Sequence, residues 1–349
     1  MRTSHVEPIA GSQEDAAGEG EARPAEPART KRTGTTARVI DRYGVLFAWL
    51  AVIALFGALR PDTFLTVGNF QTIFSTQATL LILSLALLIP LTVGEFDLSV
   101  AGTLGVSYVL MGDLTVNAHV GVGVAIIAAL AAGLAVGLIN AFVIVVIGVE
   151  SIIVTLGMGT ALDGVAHAIT SGPVVGISKG FVDLVNTKVL GLPMPFYVGL
   201  VLTIGIWYLL RFTPIGRYML FVGINRSVVR LAGVRVDRIR VAALVAASLV
   251  AALAGVVMGG YNGASDPDTA TALLLPVFAA VFLGATTITP GRFNAWGTFV
   301  AVYFLTTGIA GLELMGVTGW VEELFYGLTL VVAVALSRLL GRPALTKVT

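Results

Sequence analysis

The segment "PLTVGEFDLSVAG", Pro90 to Gly102, places two carboxylates in an otherwise uncharged part of the chain. Residues 63–94, which end next to Glu95, and residues 98–112, which follow Asp97, contain no Asp, Glu, Lys or Arg. Runs of this kind predict membrane helices, because a helix that spans a bilayer requires about 20 mostly apolar residues. The segment therefore joins two consecutive predicted membrane spans.

The composition of the whole chain supports the same class of protein. Of its 349 residues, 56% are hydrophobic and 12% are charged, against about 25% charged residues in a typical soluble domain. The mean hydropathy is +0.94. A soluble fold of this size lacks the polar surface to cover so many apolar side chains. We therefore predict an all-α, polytopic membrane bundle.

The uncharged runs divide the chain into about ten predicted transmembrane helices. They lie near residues 43–60, 69–91, 97–113, 120–148, 151–171, 195–211, 241–262, 270–288, 294–312 and 319–338. Two pairs of glycines four residues apart, Gly133 with Gly137 and Gly255 with Gly259, have a spacing that permits close helix packing in lipid.

The third predicted span is unusually short. Its 15 uncharged residues form a helix of about 22 Å, which falls short of a hydrocarbon core of about 30 Å. Either neighbouring helices shield this span from lipid, or its charged end lies below the lipid surface. Pro90 and Gly94 also interrupt the preceding helix, as in the broken helices that line transport routes.

The distribution of Lys and Arg predicts the orientation of the chain in the membrane. With both termini cytoplasmic, the inner segments hold 18 of the 21 Lys and Arg residues, and the loop 211–240 alone holds seven. Cytoplasmic loops are enriched in these residues. We therefore predict a multi-pass protein of the cell (cytoplasmic) membrane with cytoplasmic N- and C-termini.

The termini differ in composition from the predicted transmembrane domain, residues 41–342. Residues 1–40 are rich in Ala, Gly, Glu, Pro and Thr, which cannot bury enough apolar surface to offset the entropy of ordering. This segment is predicted to be a disordered cytoplasmic tail. Residues 343–349 form a short C-terminal tail.

Sequence signatures of enzymes are missing from the chain. There is no G-x-x-x-x-G-K-[ST] phosphate-binding loop and no H-E-x-x-H zinc motif. The chain has no cysteine and only three histidines, so we predict no metal site. We expect neither catalysis nor nucleic-acid binding, and a membrane protein of this kind is typical of a transport subunit powered by a partner.

The loop "RFTPIGRYMLFVGINRSVVRLAGVRVDRIRV", Arg211 to Val241, contains a predicted short helix. Asn225 is suited to cap its start and Gly233 to end it. Between them, Val228, Leu231 and Ala232 form an apolar stripe at i, i+3 and i+4. From periodicity alone, this helix either docks in a groove of another protein or rests on lipid headgroups.

Four motifs in order resemble the ribose/xylose-type sugar permeases of ABC importers, in the branched-chain amino acid and monosaccharide permease superfamily. They are "GEFDLSV" (94–100), "GLIN" (137–140), "IVTLGM" (153–158) and the segment from Gly216 to Val241. The resemblance covers about residues 45–340. Glu95 stands where the family usually has glycine.

The resemblance implies a permease subunit for a ribose- or xylose-like monosaccharide that works by alternating access. The implied partners are a second permease subunit, most simply in a homodimer, two cytoplasmic ATP-binding cassette subunits and an extracytoplasmic sugar-binding protein. No cofactor is implied for this chain, because ATP and magnesium are bound by the ATPases. The residues implied in coupling to them are Gly216, Arg217, Gly223, Asn225, Val228, Leu231, Ala232 and Gly233. Arg226 is expected to be exposed, so that its replacement should weaken association with the ATPase only mildly.

The carboxylates of the opening segment have two interpretations. Asp97 is placed to cap the N-terminus of the third span, where free N–H groups attract a carboxylate. Alternatively, Glu95, Asp97 and Ser99 lie on the translocation path, since ionisable residues at membrane depth often serve function. Other polar residues face a central cavity or form hydrogen bonds between helices: Asn69, Asn140, Thr155, Asp163 and Asn262.

Two functions from other classes remain open on these residues alone. A self-contained secondary transporter or channel for a small polar solute would need its own coupling ions and charge pairs inside the bundle. A membrane scaffold is disfavoured by the polar groups at mid-depth. Transport of sugar by vesicles that hold this chain alone, down an ion gradient, would identify the secondary transporter.

Overall fold

A computed structural model describes residues 35–317 and 319–339 of the chain. Its α-helices are α1 (Thr35–Leu59), α2 (Pro61–Phe64), α3 (Val67–Thr76), α4 (Ala78–Thr92), α5 (Val100–Gly112), α6 (Val122–Ala141), α7 (Ser151–Ile169), α8 (Lys179–Asn186), α9 (Met194–Phe212), α10 (Pro214–Ile224), α11 (Arg226–Leu231), α12 (Val236–Asn262), α13 (Leu274–Gly284), α14 (Ala295–Leu314) and α15 (Trp320–Leu339). The predicted polytopic helical bundle is confirmed.

The remaining regular structure is short. π-Helical turns extend α5 and α6, at Asp113–Asn117 and Phe142–Ile147, and 3-10 turns precede α13, at Pro267–Thr269 and Thr271–Leu273. Four two-residue strands form two antiparallel pairs: β1 (Val174–Val175) with β4 (Ala264–Ser265), and β2 (Lys188–Val189) with β3 (Leu192–Pro193).

Eight stretches of the described residues are long and apolar enough to cross a membrane. They are Arg42–Leu59, Val67–Thr92, Val122–Ile147, Ser151–Ile169, Met194–Phe212, Val236–Asn262, Pro267–Gly284 and Ala295–Leu314. Each matches one predicted span. The third and tenth predicted spans correspond to α5 and α15, which are not among the eight, so the total of ten stays a prediction.

The short helix α5 is enclosed by other helices. It packs against α6, α7 and α12, and 11 of its 13 residues are buried. A helix shielded in this way does not have to match the thickness of the lipid, because protein side chains cover its ends. This arrangement agrees with the first of the two interpretations of the short third span.

Glycines allow α12 to approach α5 and α6 closely. A Cβ atom at Gly255 would lie 2.5 Å from the carbonyl oxygen of Leu104 in α5, and one at Gly133 would lie 2.5 Å from the Cβ of Ala252. Gly137 faces the backbone of α12 in the same way. A Cβ at Gly259 meets only ordinary contacts at 3.4 Å, so three of the four predicted packing glycines occupy tight crossings.

The bundle has two ends that differ in character. We call one the α11 end, because α5 and α12 begin there beside the turn 93–99 and helix α11. At the opposite end, α5 finishes where Gly112 contacts Ser265 of β4, and β4 pairs with β1.

The structure changes two predicted boundaries. Helix α1 begins at Thr35, inside the predicted tail of residues 1–40, and the disorder of that tail stays a prediction. Helix α12 begins at Val236, so the loop predicted over 211–240 is shorter and is filled largely by α10 and α11. The rest of the predicted N-terminal tail and the predicted tail 343–349 lie outside the described residues.

Candidate coupling and translocation site

Helix α11 forms where the sequence predicts a short helix. The side-chain oxygen of Asn225 accepts hydrogen bonds from the backbone N–H groups of Ser227 at 3.1 Å and Val228 at 3.2 Å. Gly233, with φ of +81°, takes the left-handed conformation that follows the helix. Both predicted ends of the helix are therefore confirmed.

The apolar stripe of α11 points away from the rest of the chain. The exposed fraction is 60% for Val228 and 89% for Leu231, and Ala232 is also exposed. Val229, between them in sequence, is buried against the bundle. One face of α11 thus anchors the helix, while the other presents apolar side chains to a partner or to lipid headgroups.

Two glycines of the predicted coupling set hold α10 close to the bundle. Gly216, whose N–H bonds to the Thr213 hydroxyl at 3.1 Å, packs against the end of α9. Gly223 packs against the backbone of Thr92 and Gly94, where α4 ends. Arg217 is exposed on the surface of α10. The segment that carries α11 is therefore in backbone contact with the turn that carries the two carboxylates.

Glu95 belongs to this contact. Its side chain is buried, and its Oε1 atom lies 2.7 Å from Nη2 of Arg226 and 2.5 Å from Nε of Arg240. The same Arg226 nitrogen donates a hydrogen bond to the carbonyl oxygen of Gly94 at 2.9 Å. One of the two interpretations placed Glu95 with Asp97 and Ser99 on the translocation path; that role stays a prediction, and in this structure the Glu95 carboxylate is paired with Arg226 and Arg240.

Arg226 was expected to be exposed, and it is only partly so. Its side chain is 39% exposed and is paired with the buried Glu95 carboxylate. Burial lowers the pKa of Arg226, and the carboxylate of Glu95 opposes this shift. Because arginine stays protonated at physiological pH, two positive charges meet one buried carboxylate.

Four of the predicted pathway residues meet in one buried network behind the turn. Oδ1 of Asp97 accepts hydrogen bonds from the Ser99 amide at 2.9 Å and the Ser99 hydroxyl at 2.6 Å. The Ser99 hydroxyl in turn accepts one from the Asn140 side chain at 2.8 Å. The hydroxyl of Thr155 accepts from the Leu98 amide at 3.0 Å. The network fixes the backbone that leads into α5 against α6 and α7.

Asp97 accepts its hydrogen bonds from the segment 93–99 and not from the amides of the first helical turn of α5. That helix begins at Val100, and Asp97 bonds the amide of Ser99, the residue before it. The predicted capping position is therefore displaced by two residues. Oδ2 of Asp97 and Oδ1 of Asn140 are buried without a donor among the described residues. Because the network is fully buried, no solute reaches it in this conformation.

The other three pathway candidates lie towards the opposite end. Asn69 sits in the first turn of α3 and donates to the carbonyl oxygen of Phe64 at 2.9 Å. Asn262, the last residue of α12, donates to the Tyr108 hydroxyl at 3.0 Å. Asp163 is half-buried in α7. The eight candidates therefore occupy at least two separate regions.

Sequence reasoning missed two polar arrangements. One is the pairing of Glu95 with Arg226 and Arg240, which the surplus of arginine in the loop could have signalled. The other lies at the opposite end, where Nε2 of His167 is 3.0 Å from Oδ1 of Asp268. The described residues contain no group of three or more His, Asp or Glu that is arranged to hold a metal ion.

A polar cavity of about 690 Å³ opens beside the Glu95 cluster. Its walls come from the turn after α4, the segment between α6 and α7, and the junction of α10 with α11. Glu95, Arg226, Arg240 and Glu150 line it. The α11 end thus combines an apolar helix face, a buried charge cluster and adjoining space.

Replacing Asp97 with alanine is expected to reduce the amount of folded protein in the membrane much more than replacing it with asparagine. Alanine leaves the Ser99 amide and hydroxyl unpaired in a buried site, at a cost of about 1–3 kcal/mol for each group. The asparagine carbonyl still accepts these bonds. Quantitative blotting of purified membranes measures the difference. Equal loss of protein in both variants would show that the site requires the charge.

Comparison with known proteins gives a matching family. The sequence profile of the family described as "Branched-chain amino acid transport system / permease component" matches residues 69–334. No solved structure matches the chain.

Three curated relatives are similar over most of their length. The chain is 32% identical to the L-arabinose ABC transporter permease of Azospirillum brasilense, over 88% of the chain and 90% of that protein. It is 28% identical to the ribose import permease of Escherichia coli strain K12, over 83% and 91%. It is 30% identical to the autoinducer 2 import system permease of Escherichia coli strain K12 / DH10B, over 84% and 92%.

Proposed function

We propose, from the premise that this chain belongs to the branched-chain amino acid transport system / permease component family, that it is the membrane subunit of an ATP-driven importer. It is a multi-pass membrane permease and not an enzyme. The energy for transport would come from separate cytoplasmic ATPase subunits, which bind ATP and magnesium.

One observation carries the coupling part of this proposal: α11 exposes Val228 and Leu231 while Val229 anchors it to the bundle. A short helix of this kind fits a groove on another protein. A resting place on lipid would serve equally well for the apolar face, but Arg226 at the helix start is turned inward to Glu95. The helix is therefore tied to the turn that leads into the buried helix α5.

The proposed cargo is a monosaccharide similar to ribose or xylose. The relatives carry names that refer to L-arabinose, ribose and autoinducer 2. A polyhydroxylated solute needs hydrogen-bond donors and acceptors along its route. The polar groups at the opposite end, including Asn262 with Tyr108, would meet the sugar first, and the Asp97 network would become accessible only after a conformational change.

The proposed assembly has two copies of this permease, two ATPase subunits and an external sugar-binding protein. In alternating access, closure of the ATPases would displace α11 and convert the dimer between inward-open and outward-open states. The cavity beside Glu95 provides space for such a displacement.

Reconstitution of the complete complex in proteoliposomes tests this function. We expect uptake of radiolabelled ribose, xylose or arabinose that requires ATP on the ATPase side and the binding protein on the other side. Vesicles that hold only the permease should show no uptake, with or without a proton or sodium gradient. Gradient-driven uptake by the permease alone would instead establish the secondary transporter.

A further inference from the structure

We propose that Glu95 is a positioning residue that joins α11 to the turn 93–99, so that a displacement of α11 moves the start of α5. The inference rests on the proposed function, because it assigns a residue to the transmission of motion from the ATPase contact. Glu95 touches neither cargo nor ATPase in this role. It acts through the arginines that it holds.

The geometry joins three elements at one carboxylate oxygen. Arg226 is the first residue of α11 and Arg240 lies in the second turn of α12, and both guanidinium groups contact Oε1 of Glu95. Arg226 also donates a hydrogen bond to the carbonyl oxygen of Gly94. The turn therefore has a side-chain link and a backbone link to α11.

Burial makes this link rigid. The side chain of Glu95 is only 3% exposed and that of Arg240 only 13%, so the Glu95 carboxylate has little contact with water apart from the adjoining cavity. Breaking a buried pair by removing one partner leaves uncompensated charge, which is far more costly than breaking an exposed pair. Here the loss of Glu95 would leave two arginines facing each other. Motion of Arg226 is therefore transmitted to Glu95 through a pair whose carboxylate is buried.

The turn passes this motion to the transport region. Two residues after Glu95, Asp97 holds the amide and hydroxyl of Ser99, and α5 begins at Val100. Helix α5 lies at the centre of the bundle, against α6, α7 and α12. A shift of α11 would therefore be passed through Glu95 to the buried polar network, which begins two residues later at Asp97.

The matched pair of variants is Glu95→Gln and Asp237→Asn. Both remove one arginine-paired carboxylate from the α11 end, but Asp237 is 58% exposed in its pairs with Arg230, at 3.0 Å, and Arg240, at 3.8 Å. In the reconstituted complex, E95Q should lower sugar moved per ATP hydrolysed by about tenfold or more. D237N should change this ratio by less than about twofold.

The amount of sugar moved per ATP hydrolysed distinguishes a positioning role of Glu95 from a role in stability alone. A purely structural defect lowers the amount of folded permease but leaves sugar moved per ATP unchanged in the complexes that remain. An unchanged ratio in E95Q would overturn the proposal. Should E95Q fail to fold, Arg226→Gln removes the link to α11 and leaves the Glu95–Arg240 pair intact, so the same fall in the ratio is expected.

A second measurement needs neither sugar nor ATPase. The chain has no cysteine, so spin labels can be placed at V228C on α11 and V146C in the π-helical turn that follows α6, two exposed positions. The distribution of distances between the two labels should be narrow in the otherwise unchanged chain and broad when E95Q or R226Q is present. Equal widths would overturn the proposal even where the complex transports. Absence of transport in the unchanged complex would reject only the proposed function.

Discussion

The substitution Leu231→Asp is expected to abolish binding of the ATPase partner while the permease still inserts in the membrane. Leu231 is 89% exposed on α11, so the folded permease tolerates a charge there. In an apolar groove, however, an unpaired carboxylate costs several kcal/mol of desolvation free energy. At about 1.4 kcal/mol per decade, association falls by a factor of roughly 10² or more. Co-purification of the ATPase and sugar-stimulated ATP hydrolysis should both be lost.

The matched control is Leu190→Asp. Leu190 is 94% exposed in the turn between β2 and β3, and its φ of +50° is readily adopted by aspartate. It belongs to the segment before α9, whereas α11 follows the other end of that helix. L190D should therefore retain the ATPase at the yield of the unchanged protein. Full ATPase yield with L231D would place α11 on the membrane surface and reject the docking role.

The sequence predicted the elements that depend on local rules. Uncharged runs identify membrane helices because lipid excludes charge, and eight of the predicted spans reappear as helices that are long and apolar enough. Asn225 and Gly233 marked the ends of α11 because capping depends on neighbouring residues only. The shielding of the short third span was one of two possibilities that its length allowed.

The predicted start of α12 is wrong because its first helical turns carry charged residues. Hydropathy indicated a span from residue 241, but α12 begins at Val236. Its first turns carry Asp237 and Arg240, which find partners in Arg230 and Glu95. A helix can therefore continue beyond its apolar part when ion pairs replace burial in lipid, and hydropathy alone does not detect this.

The partners of Glu95 could not be read from the sequence because they come from elements far along the chain. Arg226 and Arg240 lie more than 130 residues after Glu95, and their proximity depends on how α4, α11 and α12 pack. The same holds for Asn140, which meets Ser99 only because α6 lies beside α5. Local pattern showed that Glu95 and Asp97 were unusual, but not that they serve different partners.

The substitution Gly255→Leu is expected to cause a large loss of folded protein. A Cβ atom at this position would lie 2.5 Å from the carbonyl oxygen of Leu104 and 2.9 Å from the amide nitrogen of Tyr108. Both atoms belong to the backbone of α5, which cannot rotate away as a side chain can. Helices α5 and α12 would have to separate, and this would open the centre of the bundle.

The matched control is Gly157→Leu, in the interior of α7. A Cβ atom there meets nothing within 4 Å, so the new side chain points into open space and the helix gains a better helix former. Overpacking a core costs about 1–3 kcal/mol even where side chains can adjust, so we expect G255L to lower the yield of monodisperse permease by about tenfold or more. Size-exclusion chromatography of detergent-extracted protein measures this, with G157L near the unchanged yield. Equal yields of both variants would mean that α5 and α12 do not cross at Gly255, and the path from Glu95 through α5 would lose its central helix contact.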